Sequence, residues 1–151
     1  MKKSKSDIAY EAVSLTLTIA LMSLIFYLSA QNATDSTHTS SFVSELIYKI
    51  TGILFPQSTI RTLAHFSEYT VLGFSVSNTF FAFKNKALRL LPAAASWLYA
   101  WSDEIHQIFV DGRAFQLFDL SVDLGGIILG TFVFYFLMCI IKKITEKKKT
   151  H

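Results

Sequence analysis

Seven side chains able to move protons or hold a cation fall in three short stretches: His65 and Glu68; Asp103, Glu104 and His106; Asp119 and Asp123. Paired carboxylates beside a histidine can do general acid–base work, because crowded like charges make one carboxyl hold its proton more tightly. The same set can bind a divalent cation through oxygen ligands, with His65 or His106 as a nitrogen ligand; no other cofactor is expected. The single Cys139 sits in an apolar run and reads as a small core residue.

These groups must be positioned by elements of an unusual kind. The chain has 151 residues, of which about half are apolar and 14 are Phe, and its apolar residues come in long unbroken runs. No charge interrupts residues 12–34 or 124–141. About 20 helical residues cross a hydrocarbon core of ~30 Å, so both runs qualify as spans. Residues 63–83 and 88–110 are long enough too, but each carries its charges at one end. The expected fold is therefore an all-α integral membrane bundle of four transmembrane helices, near residues 10–30, 63–83, 88–110 and 119–141, with a basic tail at 142–151. The first run exceeds a signal-peptide core of ~7–15 residues, and Leu28-Ser29-Ala30 is a poor cleavage site, so a retained anchor is expected.

Lysines and arginines orient the spans. Lys2, Lys3, Lys5, Lys84, Lys86, Arg89, Lys142, Lys143, Lys147, Lys148 and Lys149 fall on one side, against Lys49, Arg61 and Arg113 on the other. Eleven against three places both termini in the cytoplasm. The bias also accounts for the net charge of +3 without nucleic acid, since the basic residues flank spans and form no groove with interleaved aromatics.

The outer connection, residues 31–62, is the longest. Its first part, residues 32–40, is polar and is expected to be flexible; Asn32-Ala33-Thr34 lies too near the membrane to serve readily as a glycosylation acceptor. Beyond it, Phe42, Val43, Leu46, Ile47, Ile50, Ile53 and Leu54 recur at helical spacing, which predicts a short amphipathic helix on the outer surface or over the bundle mouth, ending around residues 52–56.

Threading the chain through this topology brings the ionisable groups to one depth. His65 and Glu68 lie within about 8 Å of the outer end of the second span, at ~1.5 Å per residue. Asp103, Glu104, His106 and Gln107 end the third, and Asp119 and Asp123 begin the fourth. His65 and Glu68 share a helix face that continues through Leu72, Ser75 and Thr79; Asp103 shares one with His106 and Gln107. Asp119 and Asp123 continue into Gly126 and Gly130, a small-residue stripe that lets helices approach, so the carboxylates should face inward. Asp111-Gly112-Arg113 predicts a tight outer turn that hangs Arg113 over the acids, where a guanidinium can grip carboxylates or recruit an anion.

Taken in order, Ser29-Ala30-Gln31, His65-Phe66-Ser67-Glu68-Tyr69 with Leu72-Gly73, Asp103-Glu104-Ile105-His106-Gln107, Gly112-Arg113, and Asp119 with Asp123, Gly125-Gly126 and Gly130 resemble the VanZ-like family over residues 15–136. The resemblance implies a small bacterial membrane protein, multi-pass in the cell membrane. It marks His65, Glu68, Tyr69, Asp103, Glu104, Gln107, Arg113 and Asp119 as the family's pattern, with Glu68, Tyr69, Asp103, Gln107, Arg113 and Asp119 as ligand-binding candidates. The family's namesake is associated with resistance to the glycopeptide teicoplanin. The chain departs from the pattern at Asp111 (often Pro), at Asp123 (often Asn), and before His65, where Arg61 and Thr62 stand near a usual Lys.

Three functions are open to such a cluster. In the first, its outer-leaflet cavity binds an envelope lipid, a lipid-linked wall precursor or a partner, which would link it to glycopeptide resistance without turnover. In the second, it is an intramembrane acid–base or metal-assisted enzyme on a lipid-linked substrate. In the third, the charges form an ion-pair network that only braces the helices. A transporter is not expected, since no internal repeat or broken helix is present. A homo-oligomer is compatible with the glycine stripe.

Overall fold

The computed structural model describes residues 3–84 and 90–149. It contains five helices, α1 (Lys5–Ser29), α2 (Ala33–Thr51), α3 (Gln57–Lys84), α4 (Leu90–Gln107) and α5 (Leu117–Lys149), and no strand among the described residues. The expected connection through Lys86 and Arg89, the first residues of the third predicted span, Lys2 and His151 lie outside them.

Two helices are long and apolar enough to cross a membrane. α1 and α5 contain windows of mean hydropathy 2.0 and 2.4. Only 22% and 33% of those windows is buried within the chain, so most of their apolar surface faces outward. α5 buries Leu120, Ile127, Phe134 and Tyr135, whereas what α1 buries is largely polar and small. In α1 the inner stripe is Ser14, Thr18, Ile25 and Ser29, spaced for one helix face. Its hydroxyls pair with α3: Thr18 Oγ1 lies 2.7 Å from Ser75 Oγ and 2.9 Å from Thr79 Oγ1, and Asn78 Nδ2 donates to Ser14 Oγ at 3.1 Å. Hydroxyl and amide bonds of this kind join helices where apolar burial offers no driving force between them.

α3 is the hub and packs against the other four helices. Its closest neighbour is α5, and glycines set that distance. A Cβ on Gly130 would stand 1.9 Å from the Thr70 carbonyl oxygen, one on Gly126 2.5 Å from that of Phe66, and one on Gly73 2.6 Å from that of Ile127. The predicted small-residue stripe thus faces α3 within the chain.

Two boundaries differ from expectation. The polar stretch 32–40, predicted to be flexible, is helical. Asn32 caps α2 by accepting from Asp35 N at 2.9 Å, and Ser36, Ser40 and Ser44, four apart, give the helix a small polar inner face. The helix does end at Gly52, left-handed at φ 72°. At the other end the basic tail continues α5 to Lys149, helped by a Lys142–Glu146 pair at i, i+4.

The two glycine types in α5 make opposite predictions. Gly130→Ala should destabilise the bundle by about 1–3 kcal/mol, since the backbone must move to admit the methyl. Gly125→Ala meets only Phe66 Cε2 at 3.5 Å and should be neutral or stabilising, through about 0.5–1 kcal/mol of helix propensity. Thermal unfolding of both variants in detergent checks the contrast.

Candidate functional site

α1 and α4 run toward the end of the bundle from which α3 and α5 run away, and α2 lies across that end. The Val110–Arg113 turn, closed by Arg113 N donating to Val110 O at 3.0 Å with Gly112 at φ 75°, forms as expected. It docks on the start of α2, where Ala33 N donates to Asp111 O at 3.2 Å. Ser44 Oγ donates to Phe55 O at 2.7 Å and Gln57 Nε2 to Ser41 Oγ at 2.7 Å, which tie the other half of α2 to the start of α3. Ser36, Ser40 and Ser44 of α2 face inward, while Phe42, Leu46 and Ile50 are exposed. The predicted amphipathic helix therefore covers the mouth and offers its apolar side to the surroundings.

Beneath it is a cavity of about 120 Å³ whose walls include Ser29, Ser36, Ser40, Arg61, His65, Glu68, Asp103 and Arg113. His65 Nδ1 lies 3.2 Å from Asp123 Oδ1, an α3–α5 pair that the close crossing of those helices permits. Tyr69, fully buried, donates its hydroxyl to Asp103 Oδ2 at 3.2 Å. Glu104, also fully buried, accepts from Gln116 N at 2.9 Å and from Gln107 Nε2 at 3.2 Å. Asp119 is buried beside them. One ligand-bearing atom each from His65, Glu104 and Asp123 lies within 4.8 Å of the others. One oxygen of Asp103 (Oδ1) and one of Asp123 (Oδ2) are buried with no hydrogen-bond partner.

Arg113 hangs at the rim as predicted, but its bonds go to Gln31 O (Nε, 3.1 Å) and Gln107 Oε1 (Nη1, 3.4 Å). Among the described residues neither Arg113 nor Arg61 has a carboxylate within ion-pair distance. Burial, and then the charge of Arg61, lower the pKa of Arg113 from its ordinary value. Two cations share the mouth of one cavity.

His106 is not in the cluster. Its ring stacks on Phe26 of α1, with centroids 4.3 Å apart, and it lines a separate hollow with Asn32, Asp35 and Asp111. Ser36, Thr39 and Ser40 are polar lining residues that sequence reasoning missed, and the four-residue spacing of Ser36 and Ser40 was the available signal.

Helices with polar inner stripes, two of them apolar enough to span, closing on a charged cavity at one end, point to a helical membrane protein. The family model described as VanZ/LLP1 matches residues 14–139, and the chain belongs to this VanZ-like family. Neither a curated protein nor a solved structure matches the chain.

A double-mutant cycle separates the two histidines. His65→Gln and Asp123→Asn should couple by about 0.5–3 kcal/mol in unfolding free energy, as contacting residues do. His106→Ala and Asp123→Asn should add to within about 0.5 kcal/mol.

Proposed function

We propose that this protein crosses the bacterial cell membrane four times, through α1, α3, α4 and α5. Both termini are cytoplasmic, and the cavity under α2, at the outer leaflet, binds the phosphate-bearing headgroup of an envelope lipid or lipid-linked wall precursor. The observation that carries this reading is the pair of arginines at one cavity with no carboxylate in ion-pair distance among the described residues. A guanidinium has five N–H donors in a fork that fits phosphate oxygens, and Arg113 gives the protein only two of them among the described residues. Mutual repulsion of Arg61 and Arg113 would be relieved by an anion between them. Ser36 adds a hydroxyl from the roof, whereas the hydroxyls of Thr39 and Ser40 donate to the backbone carbonyls of Asp35 and Ser36.

A purely bracing network is disfavoured by the same geometry. Bracing charges would be expected to pair, yet the arginines leave the acids alone, and two buried carboxylate oxygens are unbonded. The lysine and arginine asymmetry supports the orientation. A protein that holds a wall precursor at the outer leaflet would alter susceptibility to teicoplanin, which acts there, without any turnover.

The test is binding of a polyprenyl phosphate to the full chain in nanodiscs of zwitterionic lipid. Saturable binding is expected, weakened tenfold or more by Arg61→Gln or Arg113→Gln, because a charge-assisted bond contributes about 1.5–3 kcal/mol. Lys49→Gln should leave it unchanged. Binding that never saturates, or that ignores both arginines, would overturn the proposal. The orientation has its own check in a Cys139→Ser background. A cysteine replacing Thr37 should be labelled from outside intact cells, and one replacing Lys143 only after permeabilisation.

A further inference from the structure

We infer that His65, Glu104 and Asp123 hold a divalent transition-metal ion at the floor of the bundle end. Three helices, α3, α4 and α5, each deliver one ligand atom to a group within 4.8 Å. Metal bonds of about 2.0–2.2 Å set neighbouring ligands of one ion roughly 3–3.5 Å apart in tetrahedral geometry. The His65 Nδ1–Asp123 Oδ1 separation of 3.2 Å already meets that distance.

The surroundings argue the same way. Glu104 is fully buried, has no cation in ion-pair distance among the described residues, and is aligned by bonds from Gln116 N and Gln107 Nε2. Hydrogen bonds to a ligating carboxylate are the usual outer support of a metal site. Asp123 is also fully buried, and its Oδ2 has no hydrogen-bond partner. A His–Asp brace explains one oxygen of Asp123 and leaves the other, and all of Glu104, without a cation. An ion at the centre compensates both.

The donor set selects the metal class. One imidazole with two carboxylates suits zinc, manganese or iron(II), whereas magnesium and calcium prefer oxygen alone. Three protein ligands leave at least one coordination position open, and His65 also lines the cavity. The ion would offset part of the charge gathered from Glu68, Asp103, Glu104, Asp119 and Asp123. This inference uses residues other than Arg61 and Arg113 and stands apart from the anion reading.

Full-length protein purified in detergent without chelator, offered zinc, manganese, magnesium and calcium and then dialysed, should retain about one zinc or manganese per chain by elemental mass spectrometry. Its unfolding temperature should rise with that metal. Glu104→Gln and Asp123→Asn should each weaken retention tenfold or more and abolish the shift, while Glu45→Gln keeps both. Arg61→Gln should keep the metal and lose polyprenyl phosphate, which separates failure of one proposal from failure of the other. Wild-type protein that retains no transition metal and shows no shift overturns the inference, whether or not the variants fold. So does retention that survives both substitutions, or retention of magnesium or calcium alone.

Discussion

Gly126 and Gly130 bring the α5 backbone so near α3 that no side chain fits between them, and the carbonyls of Phe66 and Thr70 occupy the space a Cβ would need. Close backbone approach of this kind fixes rotation as well as distance, since either helix turning would drive a larger residue into the gap. Asp123 stands one turn before Gly126, and His65 one residue before Phe66. The register that seats the glycines therefore also seats the acid against the imidazole. Because α3 carries the contacts to every other helix, the rest of the bundle inherits this crossing.

The polarity of α1 and α4 is largely inverted relative to a water-soluble domain. α1 turns Ser14, Thr18 and Ser29 inward and leaves Leu17, Ile19, Leu24 and Phe26 exposed. α4 buries Ser96, Asp103, Glu104 and Gln107 and exposes Leu90, Leu91 and Leu98. In water such a surface would be driven to associate; in hydrocarbon it costs nothing, and the polar inner stripes acquire the directional bonds that hold helices together. The same inversion explains how a charged cavity persists. Ionisable groups are expensive among lipid tails, about 2.5–3.5 kcal/mol each at mid-bilayer on insertion scales, and are tolerated where they face an interior, near an end.

Much of this was legible in the sequence, and the parts that were not have identifiable causes. Unbroken apolar runs declared α1 and α5, and i, i+3 or i+4 spacing put His65 with Glu68 and Asp119 with Asp123. On α4 the same rule misassigned a neighbour. At about 100° per residue, Asp103, Glu104 and Gln107 occupy one arc of roughly 100°, while His106 lies about 60° to the other side of Asp103. Spacing alone cannot say on which side the partner helices stand; the structure puts α5 on the Glu104 side and α1 against His106. Residues 32–40 failed for a different reason. Serines are weak helix formers and strong loop markers, so their periodicity was masked by their identity until an inward-facing surface gave it meaning.

Why Arg113 bonds an amide and a carbonyl oxygen beside so many acids is a question about geometry more than about charge. Arg113 reaches Gln31 at the end of α1 and Gln107 at the end of α4, and so joins two helix termini to the α4–α5 turn. Gln31 O is a backbone carbonyl just past the end of α1, and Gln107 Oε1 is a side-chain oxygen at the end of α4; the guanidinium satisfies both while keeping donors for the cavity. Moving it down onto Asp103 or Glu104 would release both termini. The acids therefore have no arginine partner among the described residues. His65 meets that need for one oxygen of Asp123 only. The separation of cations at the mouth from carboxylates at the floor thus gives the cavity two chemically distinct ends, one suited to an anion and one to a cation.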